Sequence, residues 1–244
     1  MTDPTDFFDL TQFEHRDLWR RGDLVWDALK RLHSYLEVLV PPGSIDIQGE
    51  ISPGATLHGT GIRIGPGTVV EDGAYIAGPA FIGNNCKIRH GAYIRGGVIA
   101  GDGSVIGHSS EVKGAILLNR SKAPHFAYVG DSILGHRANL GAGTKLSNLT
   151  LVSTRNPDTG QRHTLQIRID NRIYDTGLTK LGAILGDDVQ TGCNCVTHPG
   201  CLVGPRTLIY ANVALRKGYT PSDSLVKLSQ TTTVVTRSKQ IDLG

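Results

Sequence analysis

From Ile64 onward, an aliphatic residue or alanine recurs every six positions: Ile64, Val70, Ile76, Ile82, Ile88, Ile94, Ala100, Ile106 and Val112. A residue that is usually small follows each by four: Thr68, Ala74, Ala80, Cys86, Ala92, Val98, Ser104, Ser110 and Ile116. Glycine and turn formers fill the gaps, as in Ile64-Gly65-Pro66-Gly67-Thr68 and Ile82-Gly83-Asn84-Asn85-Cys86. Neither the helical period nor strand alternation fits this spacing. A short fixed period marks a chain wound into stacked coils, and so many consecutive hexads exclude a glycine-rich loop. If three hexads close one coil, residues 18 apart lie above one another, about 4.8 Å apart as paired strands are. The aliphatic lead and its small partner then face inward, and the other positions face outward.

The first forty residues lack the hexads. Thr11-x-x-Glu14 reads as a capping box before a short helix. Leu24, Val25, Ala28, Leu29, Leu32, Leu36 and Leu39 form an amphipathic pattern that Pro41-Pro42 ends. Residues 1–41 are thus expected to form a helical cap over the first coil, with Trp19 and Trp26 as packing anchors. Hexads begin at Ile45, Ile51 and Leu57 and slip by one residue before Ile64. Residues 118–128 interrupt them, and they resume at Leu134, Leu140 and Leu146. They stop over 147–183 and return at Leu185, Thr191, Thr197, Val203, Ile209 and Leu215. The gap holds the turn Asn156-Pro157-Asp158-Thr159-Gly160 and then alternating Leu165, Ile167 and Ile169, which predicts a protruding hairpin loop. The coil domain is expected to span 42–217 and a tail 218–244, with one strand over Thr231–Thr236. The fold class is all-β.

Composition agrees with a turn-rich globular chain: 31 glycines and 11 prolines among 244 residues are too many for a helical bundle. A net charge of +3 gives no case for a nucleic-acid partner. No apolar run approaches the roughly 20 residues of a membrane span, and the acidic, polar start is unlike a leader. A cytoplasmic location is the expectation. Cys86, Cys195 and Cys201 fall on the small inward position, where cysteine acts as apolar filler. Cys193 points the other way, so Cys193-x-Cys195 does not read as a zinc site.

Arg95 and Lys113 each follow a lead residue by one and are 18 apart, so they stack on one face. Cations at strand spacing repel unless an anion lies between them, which points to a phosphate-bearing ligand. His90 and His108 stack in the same way nearby. Together with His125 they could form a metal site, although no carboxylate shell accompanies them. His125 sits where the hexads break, on what reads as a loop, and a loop histidine suits a general base near neutral pH.

Three stretches in fixed order resemble the acetyltransferase domain of the bifunctional bacterial glucosamine-1-phosphate acetyltransferase/uridylyltransferase. They are Glu111-Val112-Lys113, Pro124-His125-Phe126-Ala127-Tyr128-Val129-Gly130-Asp131 and Asn139-Leu140-Gly141-Ala142-Gly143-Thr144. The later Lys180-Leu181-Gly182-Ala183, Gly186-Asp187-Asp188 and Thr191-Gly192-Cys193-Asn194 are similar to its archaeal and pyrophosphorylase-related relatives. The resemblance covers roughly residues 45–217. It implies a left-handed parallel β-helix, a homotrimer, and acyl-CoA in the cleft between subunits. By the same resemblance His125 matches the catalytic base, and Arg95 and Lys113 match the sugar-phosphate binders. Tyr128, Asn139 and Asn148 match sugar contacts, while Ala142, Cys193 and Ala211 match the lining of the acetyl-CoA groove. The chain departs from the family in three ways. A hairpin insertion replaces the segment after Asn148, Cys193 stands where bacterial members usually carry serine, and the helical cap takes the place of the uridylyltransferase domain.

The expected function is acetyl transfer from acetyl-CoA to the amine of a phosphorylated amino sugar resembling glucosamine 1-phosphate, with no metal required. Backbone N–H groups of Gly141-Ala142-Gly143 would stabilise the oxyanion. Two alternatives stand beside it: a metal-dependent hydratase of the γ-carbonic anhydrase type using His90, His108 and His125, and a non-catalytic trimeric scaffold.

Overall fold

The computed structural model describes residues 1–151 and 154–234. Strands of two to four residues stack in parallel on three faces, the arrangement of a parallel β-helix. The first face is a nine-stranded sheet running from Ile45–Ile47 to Gly218–Thr220. The second runs from Glu50–Ile51 to Lys122–His125. It continues across single bridges at Asn139 into Gln190–Thr191, Leu208–Ile209 and Leu225–Val226. The third has eight strands, from Thr56–His58 to Ala214–Leu215.

The interior is the one the hexads predict from Ile64 to Val112: every lead and small partner in that stretch is buried. Aliphatic side chains, alanines and the thiols of Cys86, Cys195 and Cys201 form one continuous core. Small polar partners are tolerated there because they bond locally. The Thr68 hydroxyl donates to the Gly83 carbonyl at 2.7 Å and accepts from the Cys86 N–H at 2.9 Å.

The interruption expected over 118–128 is the loss of one residue from a coil. Ile64 pairs with Ile82, 18 residues on, whereas Ala100 pairs with Leu117, Ile106 with Ala123 and Val112 with Val129, each 17 on. The shift puts Ala115 inside, and Ile116, expected inside, faces out. A similar offset affects the first coil. Ile45 pairs with Ile62 and Ile47 with Ile64, so Ile47 takes the lead place, and Ile45, in the small partner's place on the outermost coil, is 56% exposed.

The N-terminal segment does not cap the first coil. It consists of three 3₁₀ turns, Pro4–Asp6, Leu10–Gln12 and Arg16–Leu18, followed by helix α1, Asp27–Leu39. Thr11 and Glu14 form no capping box; Asp9 caps the second turn by accepting from the Thr11 N–H at 3.1 Å, and the capping box is at Asp3 and Asp6. The segment lies along the outside of the first face. There Phe7, Phe13, Trp26, Leu32 and Leu36 pack on the outward residues Phe81, Ile99, Ile116, Ile133, Ile184 and Leu202. This second core removes an apolar stripe from water, at about 25 cal/mol per Å² buried. Trp19 and Trp26 are both buried in it, as anchors should be.

The insertion also folds back in part. Arg155 and Arg162 bridge around the expected turn at Asn156–Gly160, and the residues there are mostly exposed. The main hairpin comes later, Gln166–Ile169 against Arg172–Asp175, and Leu165, Ile167 and Ile169 bury in the second core. Past Lys217, Gly218–Thr220 and Leu225–Val226 stack on the preceding coil. Thr231 to Val234 adopt no strand, and the rest of the strand expected there lies outside the described residues.

Candidate active site

The edge between the second and third faces is a vertical row of turn residues. Each carbonyl in it accepts an N–H from the next coil: His90 from Ser109 (3.3 Å), His108 from Phe126 (2.9 Å), His125 from Gly143 (3.0 Å), Ala142 from Asn194 (2.8 Å) and Cys193 from Asn212 (2.9 Å). Ala211 is the next residue in the row, immediately before Asn212. His125, Ala142, Cys193 and Ala211 are therefore stacked on one edge, continuing the stack of His90 and His108. The turn needs a left-handed residue after each, supplied by Gly91, Ser109, Gly143, Asn194 and Asn212. After His125 it is Phe126, at φ 50°, an uncommon conformation for a bulky residue. The Phe126 ring stands edge-on to His108 at 5.2 Å, directly beside His125.

His125 is not on a loop. It ends the strand Lys122–His125, paired with His108, and its side chain is exposed. Its ring makes no hydrogen bond among the described residues. The two histidines above it differ, because each Nδ1 meets a carbonyl from the preceding coil: His90 with Asp72 at 2.7 Å and His108 with His90 at 2.9 Å. Their rings lie nearly parallel, 5.5 Å apart. Among the described residues, no three His, Cys, Asp or Glu side chains gather in a metal-binding group. Of the three N–H groups expected to hold an oxyanion, Gly141 donates to Thr191 Oγ1 (2.9 Å) and Gly143 to His125. Only that of Ala142 lacks a partner among the described residues.

A polar cluster occupies the third face. Arg95 and Lys113 are stacked as expected, but each already has an acid: Arg95 Nη1 lies 2.7 Å from Glu111 Oε1, and Lys113 Nζ lies 3.0 Å from Asp131 Oδ2. The Glu111 contact raises the Arg95 pKa from its ordinary value. Asn148 Nδ2 donates to the same Asp131 oxygen. Tyr128 brings its hydroxyl over Gly130, where an added Cβ would stand 2.6 Å from it. Arg95, Lys113, Tyr128 and Asn148 thus converge. Asn139 does not join them, because it sits on the second face between Lys122 and Gln190. The sequence reading missed Glu111 and Asp131; both were visible, 16 and 18 residues after the cations they meet. The repulsion between Arg95 and Lys113 is offset by these carboxylates, so by itself it calls for no ligand.

Cys86 and Cys201 are inert. Burial pushes the Cys86 thiol up to about 11 and that of Cys201 to about 12, so neither is a thiolate at neutral pH. Cys193 is exposed and Cys195 buried, on opposite sides of the backbone.

Comparison with known proteins places this architecture. A family model described as the GMPPB C-terminal domain matches residues 76–197. The bifunctional sugar-1-phosphate nucleotidylyltransferase/acetyltransferase of Sulfurisphaera tokodaii is 32% identical over 102 residues, which is 42% of this chain and 23% of that protein. The bifunctional protein GlmU of Methanococcus vannielii is 33% identical over 218 residues, 82% of this chain and 44% of its own. Among solved structures, a UDP-N-acetylglucosamine acyltransferase of Francisella novicida aligns with a TM-score of 0.47 at 16% identity, over 69% of this chain and 59% of that one. The chain spans less than half the length of these curated relatives.

Proposed function

The chain belongs to the GMPPB C-terminal domain family, and from that premise we propose that it is a CoA-dependent acyltransferase acting on the amine of a phosphorylated amino sugar. The observation that carries this reading is the edge row, where an exposed histidine with an unengaged ring stands one coil above an open N–H at Ala142. The name of the Sulfurisphaera tokodaii relative, which includes acetyltransferase, supports it.

In this reading His125 takes a proton from the sugar's neutral amine as the nitrogen attacks the thioester carbonyl. The C–N bond forms, and the oxygen that gains charge accepts from the Ala142 N–H. Collapse breaks the C–S bond, and the departing thiolate recovers the proton from His125. Cys193 and Ala211 extend the row along which acetyl-CoA would lie. Arg95 and Lys113 hold the acceptor's phosphate, kept in place by Glu111 and Asp131, while Tyr128 and Asn148 contact the sugar. Asn139, on another face, reaches the same sugar only from a neighbouring copy, in line with a homotrimer. The hydratase reading is weaker, because the rings of His90 and His108 stack instead of converging and both Nδ1 atoms are taken.

The test is CoA release from acetyl-CoA across a panel of amino sugars and their 1-phosphates. A preference for the phosphorylated acceptors is expected, and Lys113→Ala should weaken their binding by about 1.5–3 kcal/mol, the range for a hydrogen bond to a charged group. Release without any dependence on an amine acceptor would sink the proposal.

A further inference from the structure

We propose that the second face carries a separate binding site for a phosphoryl or pyrophosphoryl group, formed by Arg120, Lys122, Arg137, Asn139 and Gln190. These residues line a concavity of about 510 Å³. Lys122, Asn139 and Gln190 are successive members of one outward row. Arg120 and Arg137 are successive residues of the adjoining edge, where the first and second faces meet. Their N–H groups bond the carbonyls of Asp102 (2.7 Å) and Asn119 (3.1 Å), one coil earlier in each case.

The acids nearby decide the charge. Asp188 holds Arg137 through two contacts, at 2.6 and 2.7 Å. Asp187 is turned inward, accepting from the N–H groups of Asp9 (2.8 Å) and His136 (2.7 Å). Asp102 is turned up toward Asn84, whose N–H lies at 2.7 Å. Arg120 and Lys122 are exposed, and their side chains form no ion pair or hydrogen bond among the described residues. Two unmatched cations thus share one concavity with two side-chain amides.

The contrast with Arg95 and Lys113 is chemical. There each cation has a carboxylate on the next coil; here no carboxylate meets Arg120 or Lys122 among the described residues, and an outside anion gains from both. A single carboxylate would leave one cation unmatched. A phosphoryl dianion takes an arginine fork, a lysine point charge and an amide together. Lys122 is three residues from His125 on one strand, about 10 Å by strand rise. The phosphate is therefore one of CoA's or a free anion, the acceptor's own being held at Arg95 and Lys113; the shared chemistry defines the site.

The experiment is calorimetric titration of the full chain with inorganic pyrophosphate. Saturable binding that weakens with salt is expected. Arg120→Ala and Lys122→Ala should each reduce affinity by about 10–150-fold, the factor equivalent to one charged hydrogen bond. Arg206→Ala, on the same edge but already paired with Asp223 at 2.6 Å, should leave it unchanged. Absence of saturable binding, or equal weakening by Arg206→Ala, overturns the proposal. Steady-state kinetics of Lys122→Ala then identify the source. A raised KM for acetyl-CoA alone assigns the site to CoA's phosphates, no change in either KM assigns it to a free anion, and a raised KM for the acceptor alone overturns its separateness. Because the binding arm needs no turnover, its failure is distinct from failure of the acyltransferase reading.

Discussion

Two histidines in this chain show how far surroundings divide one residue type. His15 is 2% exposed, edge-on to Phe81 at 4.4 Å, with Nδ1 3.2 Å from the Tyr35 hydroxyl. Burial pushes its pKa from 6.5 down to about 4, Asp102 opposing and Arg63 assisting. The unfolded chain therefore takes up this proton before the folded one does. Stability should fall as pH drops from 6.5 to 4, by up to about 3 kcal/mol at 1.36 kcal/mol per unit. Urea unfolding followed across that range should show the decline, and His15→Phe should flatten it; an unchanged pH profile in the variant would exonerate His15. His125 has the opposite setting, exposed and outside both cores. His125→Ala should leave the unfolding midpoint nearly unchanged while turnover drops about 10²–10⁴-fold, the usual contribution of a positioned base. Near-normal turnover in the variant would remove the base from the mechanism.

Among the elements, the coils were the most legible in the sequence, because an interior that admits only one lead and one small partner per hexad repeats strictly. Legibility lapsed at Ala115, where a coil one residue short moved the register without altering the composition, and returned at Leu134, Leu140 and Leu146, which all bury as read. The N-terminal helix was legible as a helix but not in its place, since amphipathicity marks the apolar side and not the surface it meets. The missing clue was the outward stripe of Phe81, Ile99, Ile116 and Ile133, apolar where a solvated face would be polar. In the site, the stacking of Arg95 on Lys113 followed from the 18-residue coil. The Arg95–Glu111 pairing runs diagonally, so a vertical ruler passed over it, and the place of His125 at a strand end was hidden by the same one-residue loss. The stripe now supplies a test of where the segment docks. Ile99→Ala and Ile116→Ala should each cost about 2–5 kcal/mol and shift the emission of Trp19 and Trp26 toward that of exposed indole. Emission that stays put in both would place the segment elsewhere.

At the scale of the whole molecule, the sugar contacts proposed for Asn139 and for Tyr128 lie on different faces, so one chain cannot close the site alone. Light scattering on the active protein should give a mass three times that of the chain, and a monomer with full activity would refute the shared site. The arrangement of the faces bears on what kind of assembly is open to it. With the N-terminal segment and the inserted hairpin laid over most of the first face, the described residues leave two sides of each prism uncovered, one bearing Lys122, Asn139 and Gln190 and the other the Arg95–Glu111 and Lys113–Asp131 pairs. A body with two unlike sticky sides has a valence of two, and head-to-tail contacts between them either close into a ring or run on as a fibre. Plating one side therefore disfavours branched or sheet-like growth through the sides of the prism, and among the described residues it leaves the edge bearing His125 as the one bounded by two uncovered faces, so that each seam of a closed ring can fall beside it.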